Sequence, residues 1–455
     1  MKMTALIKKK IGIWGFGRVG KSVAQMLCAE GYTVSVMTKN ALSEDEKVWL
    51  QQHTITFYTE EEKDLFLHHN DYLIPSPGVD IRADYHTHKN KWLSELDLFY
   101  ARFKKPIISI TGTVGKTTIT FMLNQILQRY GVSICTGGNI GNPMCDLIDQ
   151  HNDVQYALLE VSSFQLEYCT TFAPQLAIWT NLAPNHLDRH TTYDDYFNAK
   201  YQSIAHQNDT DKAIVPLCLA EKIKDKSPKS TVSYVHPRVP TSQELSILDS
   251  TDILFFIENN QVKKKIGDTI IPCIALDDLP SITFAENWLI ICSALDLLGL
   301  PIDQLATHAD TVAIPEHRME KIVSNNIIFY NDSKSTTTAS TRAAIEKLRD
   351  KSIIVFIGGL SKGVDRAPFI KELKGKVEYV FCFGAEAETL STHCAINTIP
   401  AEAFATLDDA FDACIKKATT QDCVLFSPAG SSYDLFKDYE ERGNYFKKLV
   451  YNLNK

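Results

Sequence analysis

Ile107-Ile108-Ser109-Ile110-Thr111-Gly112-Thr113-Val114-Gly115-Lys116-Thr117-Thr118 is the stretch that decides the fold class. An apolar strand runs into a glycine-containing turn, and Lys-Thr opens a helix. Ile119, Met122, Leu123, Ile126, Leu127 and Tyr130 then recur at helical spacing on one face. A strand, a glycine turn and a helix N-terminus in that order form a cradle for a triphosphate. Backbone N–H groups around Gly112 and Gly115 surround phosphate oxygens, and the helix end adds partial positive charge. Lys116 supplies a point charge, and the Thr117 hydroxyl suits Mg²⁺. The general phosphate-loop pattern wants a glycine where Ile110 stands, so this is a variant of it.

Outward from this loop, strands alternate with helices along the whole chain, which predicts α/β architecture with parallel sheets. At 455 residues the chain exceeds one ordinary core, and about three domains are expected. The first, 1–99, opens on Gly15, Gly17 and Gly20 in a Gly-x-Gly-x-x-Gly turn. A helix from Lys21 to Glu30 and the strand Thr33 to Met37 are predicted after it, a Rossmann-like opening. A dinucleotide site would carry an acid near the end of that second strand, where Thr38, Lys39 and Asn40 stand. An NAD-dependent oxidoreductase is therefore disfavoured. The second domain, 100–303, holds the phosphate loop and a mixed or parallel sheet. It includes a polar, strand-like stretch, 207–280, with no legible chemistry, and ends after a helix from Ala285 to Leu298. The third, 304–455, repeats the Rossmann-like alternation.

With 44% hydrophobic and 22% charged residues and a net charge of −8, the chain reads as a globular protein without the basic face that nucleic-acid binding requires. Its 11 cysteines are odd in number and include no Cys-x-x-Cys pair, against a disulfide framework or a zinc ribbon. Cys135, Cys292 and Cys382 lie in apolar runs and read as small buried hydrophobes. Neither a run of about 18 apolar residues nor an apolar signal core appears, so a cytoplasmic protein is expected.

Chemistry-bearing residues gather at predicted strand ends. Glu160 closes one strand and Thr180-Asn181 another, with His186 and Asp188 a few residues on. In a parallel sheet such positions meet at the carboxyl edge beside the phosphate loop. A carboxylate and an imidazole next to a triphosphate suit Mg²⁺, although a His ligand is unusual for that ion. Lys200 reads by periodicity as a solvated helix lysine. Asn331-Asp332-Ser333-Lys334-Ser335-Thr336 follows an apolar strand with a cation, hydroxyls and a carboxylate, a composition suited to holding phosphates or carboxylates. Gly358-Gly359-Leu360-Ser361-Lys362-Gly363 repeats the theme one strand later.

The loop Thr111-Gly112-Thr113-Val114-Gly115-Lys116-Thr117 is similar to that of the Mur ligases, ATP-dependent amide ligases of peptidoglycan synthesis. Leu159 to Glu167, Asn185 to His190, His317-Arg318-Met319-Glu320, Asn331 to Lys334, Ser427-Pro428-Ala429 and Phe436 to Gly443 resemble the D-glutamate-adding branch, in its order. The resemblance implies ATP-dependent addition of D-glutamate to UDP-N-acetylmuramoyl-L-alanine through an acyl phosphate. ATP contacts would come from Gly112, Thr113, Val114, Gly115, Lys116, Thr117, Thr118, Asn287, Arg318 and Asp332. Two Mg²⁺ ions would be held by Thr117, Glu160, His186 and a carbamate on Lys200, with Lys116, His186, Lys200 and Lys334 carrying catalysis. Arg18, Val19, Ser76, Asn139 and His186 would hold the UDP-sugar, and Thr336, Lys362, Ser432 and Tyr439 the glutamate. The partners would be these small molecules alone, met by a monomer. Another ligase of the superfamily, similar to folylpolyglutamate synthase, is the alternative, against which the N-terminal domain and the 427–443 stretch argue. A phosphate-loop switch would leave the loops around Lys362 and Ser432 unexplained. The chain departs from the family's pattern at Thr38, Thr337, Thr283-Phe284 and Gly430-Ser431, the last replacing a Cys-Ala pair.

Overall fold

A computed structural model describes residues 9–186, 189–280, 283–361 and 363–453. The chain falls into two compact units, Met1–Leu182 with Asp194–Ala313, and Ala183–Tyr193 with Ile314–Lys455. Three sheets carry them.

In the first unit, β1 (Lys10–Trp14), β2 (Thr33–Met37), β3 (Thr56–Tyr58) and β4 (Tyr72–Pro75) form a parallel sheet in the order β3-β2-β1-β4. The helix after β1 spans Arg18–Ala29, beginning three residues before the predicted start, because Gly17 is its N-cap. Gly17 thus caps the helix and Gly20 lies in its first turn, while Gly15 precedes both. Gly20 permits the close helix–strand approach: a Cβ there would lie 2.0 Å from the Gly15 carbonyl oxygen.

The same unit contains a nine-stranded sheet. β5 (Ile107–Thr111), β6 (Ile134–Gly138), β7 (Tyr156–Glu160), β8 (Leu176–Trp179), β9 (Lys212–Pro216) and β10 (Thr231–His236) are parallel, and β11 (Ile253–Glu258) joins them beside β10. The 207–280 stretch thus extends the sheet, and ends as an antiparallel ribbon of β11, β12 (Gln261–Ile266) and β13 (Thr269–Ala275). The sheet order is β13-β12-β11-β10-β9-β8-β5-β7-β6, so the chain turns to either side of β5. Ligands bind at such a switch point in open α/β sheets. Every residue of β5 is buried, and the helix Lys116–Arg129 seals it with Ile119, Met122, Leu123, Ile126 and Leu127. Within this unit Arg102 pairs with Glu30 at 2.6 Å, and Leu98 and Cys145 join the core beneath β1 and β2.

In the second unit, β14 (Glu320–Ser324), β15 (Ile327–Asn331), β16 (Ser352–Gly358), β17 (Tyr379–Phe383), β18 (Ala401–Phe404) and β19 (Asp422–Phe426) take the order β14-β15-β19-β16-β17-β18. All neighbours are parallel except β14 and β15. Here the switch point lies at β19, so the loops after β15, β19 and β16 emerge side by side. Cys135, Cys292 and Cys382 are buried as expected, and all eleven cysteines are free thiols.

Candidate functional site

At the carboxyl edge of β5 the phosphate loop is held open by its own geometry. Gly112 has φ +147°, and a Cβ there would lie 2.0 Å from Thr180 Oγ1; Gly115 has φ +85° and caps the helix. Both positions require glycine. Asn181 grips the loop from the end of β8. Its Oδ1 accepts from the Val114 N–H at 2.9 Å, its Nδ2 donates to the Val114 carbonyl at 3.0 Å, and its own carbonyl accepts from the Thr113 N–H at 3.1 Å. The Thr180 hydroxyl also donates to the Val114 carbonyl, at 2.6 Å. Lys116 Nζ folds back onto the Gly112 and Thr113 carbonyls at 2.9 and 3.1 Å. Thr117 and Thr118 are buried in the helix's first turn. Asn287, on the helix Ala285–Leu297, puts its Oδ1 3.5 Å from where a Gly115 Cβ would be, and its Nδ2 donates to Thr283 Oγ1 at 2.6 Å.

Lys200 corrects the periodicity. It is only 1% exposed on the helix Tyr193–Ala205, with Nζ donating to the Gly112 carbonyl at 2.9 Å and to Thr111 Oγ1 at 3.3 Å. The Tyr196 ring lies 4.7 Å away. Burial drives its pKa well below the lysine range; the Lys116 charge adds to this and the Glu160 carboxylate opposes it. Glu160, also 1% exposed, accepts at Oε1 from Asn139 Nδ2 at 2.8 Å, while Oε2 has no hydrogen-bond partner among the described residues. Buried carboxylate oxygens are almost always bonded, so Oε2 is a donor available to a cation. The Asn139 N–H donates to the Glu160 carbonyl at 2.8 Å, fixing these two residues to each other.

The glycine turn after β1 joins this region within the same unit. Ser76 donates to the Gly15 carbonyl at 3.0 Å, and Arg18 Nη2 donates to the Gly141 carbonyl at 2.6 Å, beside Asn139. Ser22 donates to Asp146 Oδ1 at 2.5 Å. Val19 packs on the core of the four-stranded sheet. Thr38 is buried at the end of β2, where its hydroxyl accepts from the Asn40 N–H at 3.3 Å. It borders a cavity of about 690 Å³ whose other walls include Lys39, Leu42, Phe57, Glu60 and Glu61.

The second unit builds its own constellation. Asp332 is buried after β15. It accepts from Ser335 Oγ at 2.5 Å, Ser427 Oγ at 2.8 Å and the Met319 N–H at 3.2 Å. Burial raises its pKa to about 6, and those donors and Arg318 hold it from rising further. The Lys334 ammonium sits 3.6 Å from the Tyr439 ring centroid, and the Lys334 backbone N–H donates to the His317 carbonyl at 3.1 Å. The Thr336 N–H donates to the Lys334 carbonyl at 2.9 Å. Arg442 is buried and donates to Ser333 Oγ, Ser333 O and Gly430 O at 3.0, 2.8 and 3.0 Å; burial lowers its pKa to about 10. Ser432 is buried one residue beyond the Leu360–Ser431 bridge. Lys362 lies outside the described residues, as does Asp188. His186 belongs to the Ala183–Tyr193 segment of the second unit; it has φ +55°, and its carbonyl accepts from the Arg189 and His190 N–H groups at 3.0 and 2.8 Å. Among the described residues no three His, Cys, Asp or Glu side chains cluster as a metal site.

The sequence reading did not assign the grip of Asn181, the ring of Tyr196 under Lys200, or the buried arginines Arg366 and Arg442. Only Asn181 and Arg442 carried a signal, one as a strand-end polar residue beside β5 and the other within the 436–443 stretch.

Two family descriptions match the chain: the Mur ligase middle domain over residues 110–244, and the Mur ligase glutamate ligase domain over residues 317–430. The UDP-N-acetylmuramoylalanine–D-glutamate ligase of Geotalea daltonii is 31% identical over 451 residues, 97% of each chain. That of Geotalea uraniireducens is 32% identical over 462 residues, covering 99% of this chain and 98% of the relative. Among solved structures, the Thermotoga maritima MurF ligase in complex with ADP aligns with a TM-score of 0.57 at 12% identity. It covers 100% of this chain and 99% of that one, a likeness of fold. The phosphate loop, the glutamate-ligase region and full-length identity near 30% converge: this chain belongs to the Mur ligase family, in its UDP-N-acetylmuramoylalanine–D-glutamate ligase branch.

Proposed function

We propose that this protein joins D-glutamate to UDP-N-acetylmuramoyl-L-alanine at the expense of ATP. The observation that carries the reading is the edge of β5. There a glycine loop with Lys116, a buried carboxylate with an unbonded oxygen on Glu160, and the buried Lys200 meet within one unit. The full-length relatives direct it to the D-glutamate step rather than to another amide ligase.

In this reading the γ-phosphoryl group of ATP passes to the alanine carboxylate. The Gly112–Thr118 amides and Lys116 hold the phosphates and offset the charge that spreads over them in transfer. The glutamate amine then attacks the acyl phosphate, and phosphate leaves. Asp332 and Lys334, with Asn287 and Arg318 for the nucleotide, and Thr336, Lys362, Ser432 and Tyr439 for glutamate, complete the assignment. Arg18, Val19, Ser76 and Asn139 would take the UDP-sugar, with uridine toward Thr38. The domain limits proposed are 1–99, 100–303 and 304–455.

The residues fit a divalent cation. Glu160 Oε2 is a hard, desolvated oxygen, and Thr117 lies in the helix turn where a hydroxyl serves Mg²⁺. His186 is the proposed ligand of a second ion. Magnesium would supply charge neutralisation at the transferring phosphoryl group. Lys200 is held toward its neutral amine, the form that adds carbon dioxide to give a carbamate and release a proton. A carbamate there would replace a cation that repels magnesium with an anion that attracts it. The enzyme would act in the cytoplasm as a monomer; no helix among the described residues is long and apolar enough to cross a membrane.

The test is phosphate release from ATP, with each substrate omitted in turn and D-glutamate compared with L-glutamate. Release that needs both the nucleotide sugar and D-glutamate is expected. Release indifferent to either would refute the assignment.

A further inference from the structure

We propose that Arg366 and Glu386 form a positioning pair that sets the shape of the two loops taking the amino-acid substrate, an inference that rests on reading those loops as the glutamate site. Arg366 follows β16 and is 4% exposed. Its Nη1 donates to the Gly358 carbonyl at 3.0 Å and its Nη2 to the Gly359 carbonyl at 2.9 Å. Nη2 also meets Glu386 Oε2 at 2.5 Å. The other oxygen of Glu386, which follows β17, accepts from the Ser361 N–H at 2.9 Å. One ion pair therefore fixes three of four successive residues in the turn after β16, two by their carbonyls and one by its amide.

That turn is bolted to the loop after β19. The Leu360 and Ser431 backbones exchange hydrogen bonds of 3.0 and 2.9 Å, and Ser432 follows directly. Gly359 has φ +70°, and a Cβ on it would lie 2.0 Å from the Ser431 carbonyl oxygen. The same guanidinium borders a departure from the family's pattern. Gly430 stands where a cysteine is expected; a Cβ there would lie 2.3 Å from the Gly358 oxygen and 2.9 Å from Arg366 Nη1. The nearest obstacle to a side chain at 430 is therefore the Gly358 backbone oxygen, the same oxygen that accepts from Arg366 Nη1. Burying an arginine this deeply is costly unless its charge and donors are met; here Nη1 and Nη2 meet the loop's own carbonyls and the Glu386 carboxylate, while Nε has no hydrogen-bond partner among the described residues. Arg366 does not touch substrate in this arrangement; it acts through the backbone it holds, where displacement by about 1 Å suffices to weaken binding.

The experiment measures KM for D-glutamate and for ATP, with Tm, in Arg366→Lys, Arg366→Met, Glu386→Gln and Gly430→Ala enzymes. Arg366→Met is expected to raise KM for glutamate roughly tenfold or more with KM for ATP within about twofold. Arg366→Lys and Glu386→Gln should give smaller rises, the latter because Gln keeps the acceptor for Ser361. Gly430→Ala should raise the glutamate KM as well, because its methyl meets the Gly358 oxygen that Arg366 holds. If Arg366→Met does not fold, Glu386→Gln and Gly430→Ala decide. Equal changes in both KM values, or a lower Tm with both unchanged, would overturn the inference while leaving the ligase reading intact. A wild-type enzyme indifferent to glutamate would overturn both.

Discussion

Asn181→Ala tests whether the phosphate loop is preset by the end of β8. The substitution removes the acceptor of the Val114 N–H (2.9 Å) and one donor to the Val114 carbonyl (3.0 Å). The carbonyl keeps Thr180 Oγ1 at 2.6 Å, and the backbone contact from Thr113 survives. The net loss is thus one hydrogen bond entirely and a share of a second. At about 1 kcal/mol for each net bond, and with half-buried Val114 open to a replacing water, the cost is about 1 to 2 kcal/mol, roughly 5- to 30-fold. Because the lost contacts hold the loop and not the fold, the cost should appear in KM for ATP, with KM for the nucleotide sugar and glutamate nearly unchanged. Asn181→Asp keeps an acceptor for Val114 but sets a carboxylate beside the triphosphate. Its effect on ATP should be at least as large, and should shrink with added salt. Steady-state phosphate release with each substrate varied in turn, alongside thermal melts, makes the measurement. An unchanged KM for ATP in a folded Asn181→Ala enzyme would show that the loop is shaped by its own glycines alone.

Three further outcomes are expected. Lys116→Ala should lower kcat by about a hundredfold or more while circular dichroism and Tm stay near wild type; near-normal turnover would remove Lys116 from the reaction. Lys200→Ala should lose activity and regain part of it on addition of a short-chain carboxylic acid, whereas a fully active variant would exclude a carbamate role. Glu95 is 4% exposed, and burial pushes its carboxyl above the usual carboxylate range to about 7, with Gln165 and the Met144 backbone opposing the rise. The folded state then holds a proton that the unfolded state releases, so stability falls as pH rises from about 4.5 to 7, by at most about 3 kcal/mol. Glu95→Gln should remove that slope, raising Tm more at about pH 8.5 than at about pH 5; equal Tm differences at both would place an ionised Glu95 in the fold.

What could be read in the sequence was local. The phosphate loop was legible because a strand, two glycines and a helix must be contiguous to cradle phosphate, and Gly112 and Gly115 both take φ values that favour glycine. The 207–280 stretch gave strands but no arrangement, although Asn259-Asn260 was an available signal there, as Asn325-Asn326 was for β14 and β15. Each pair has φ between 49° and 62° and joins adjacent antiparallel strands, the two-residue hairpin that Asn favours. Lys200 was not legible from its helix. Periodicity describes which face a helix buries, and it assigned this lysine to solvent; the end of the single strand β5, more than 85 residues earlier, supplies the carbonyl and hydroxyl that hold it.

The departures from the family's pattern show the same limit from the other side. Gly430 and Arg366 are 64 residues apart in sequence, and neither has a local reason to be what it is. Gly430 carries no positive φ, so the turn itself would accept a side chain; the approach of Gly358 and of a guanidinium from beyond the next strand forbids one. Read along the chain, a glycine in place of a cysteine is a loss of side chain. In three dimensions it is space yielded to the Gly358 carbonyl and to the arginine that holds it. A motif read residue by residue can register that substitution but cannot assign it a role, because the constraint is shared between two loops brought together only by the strand order β19-β16.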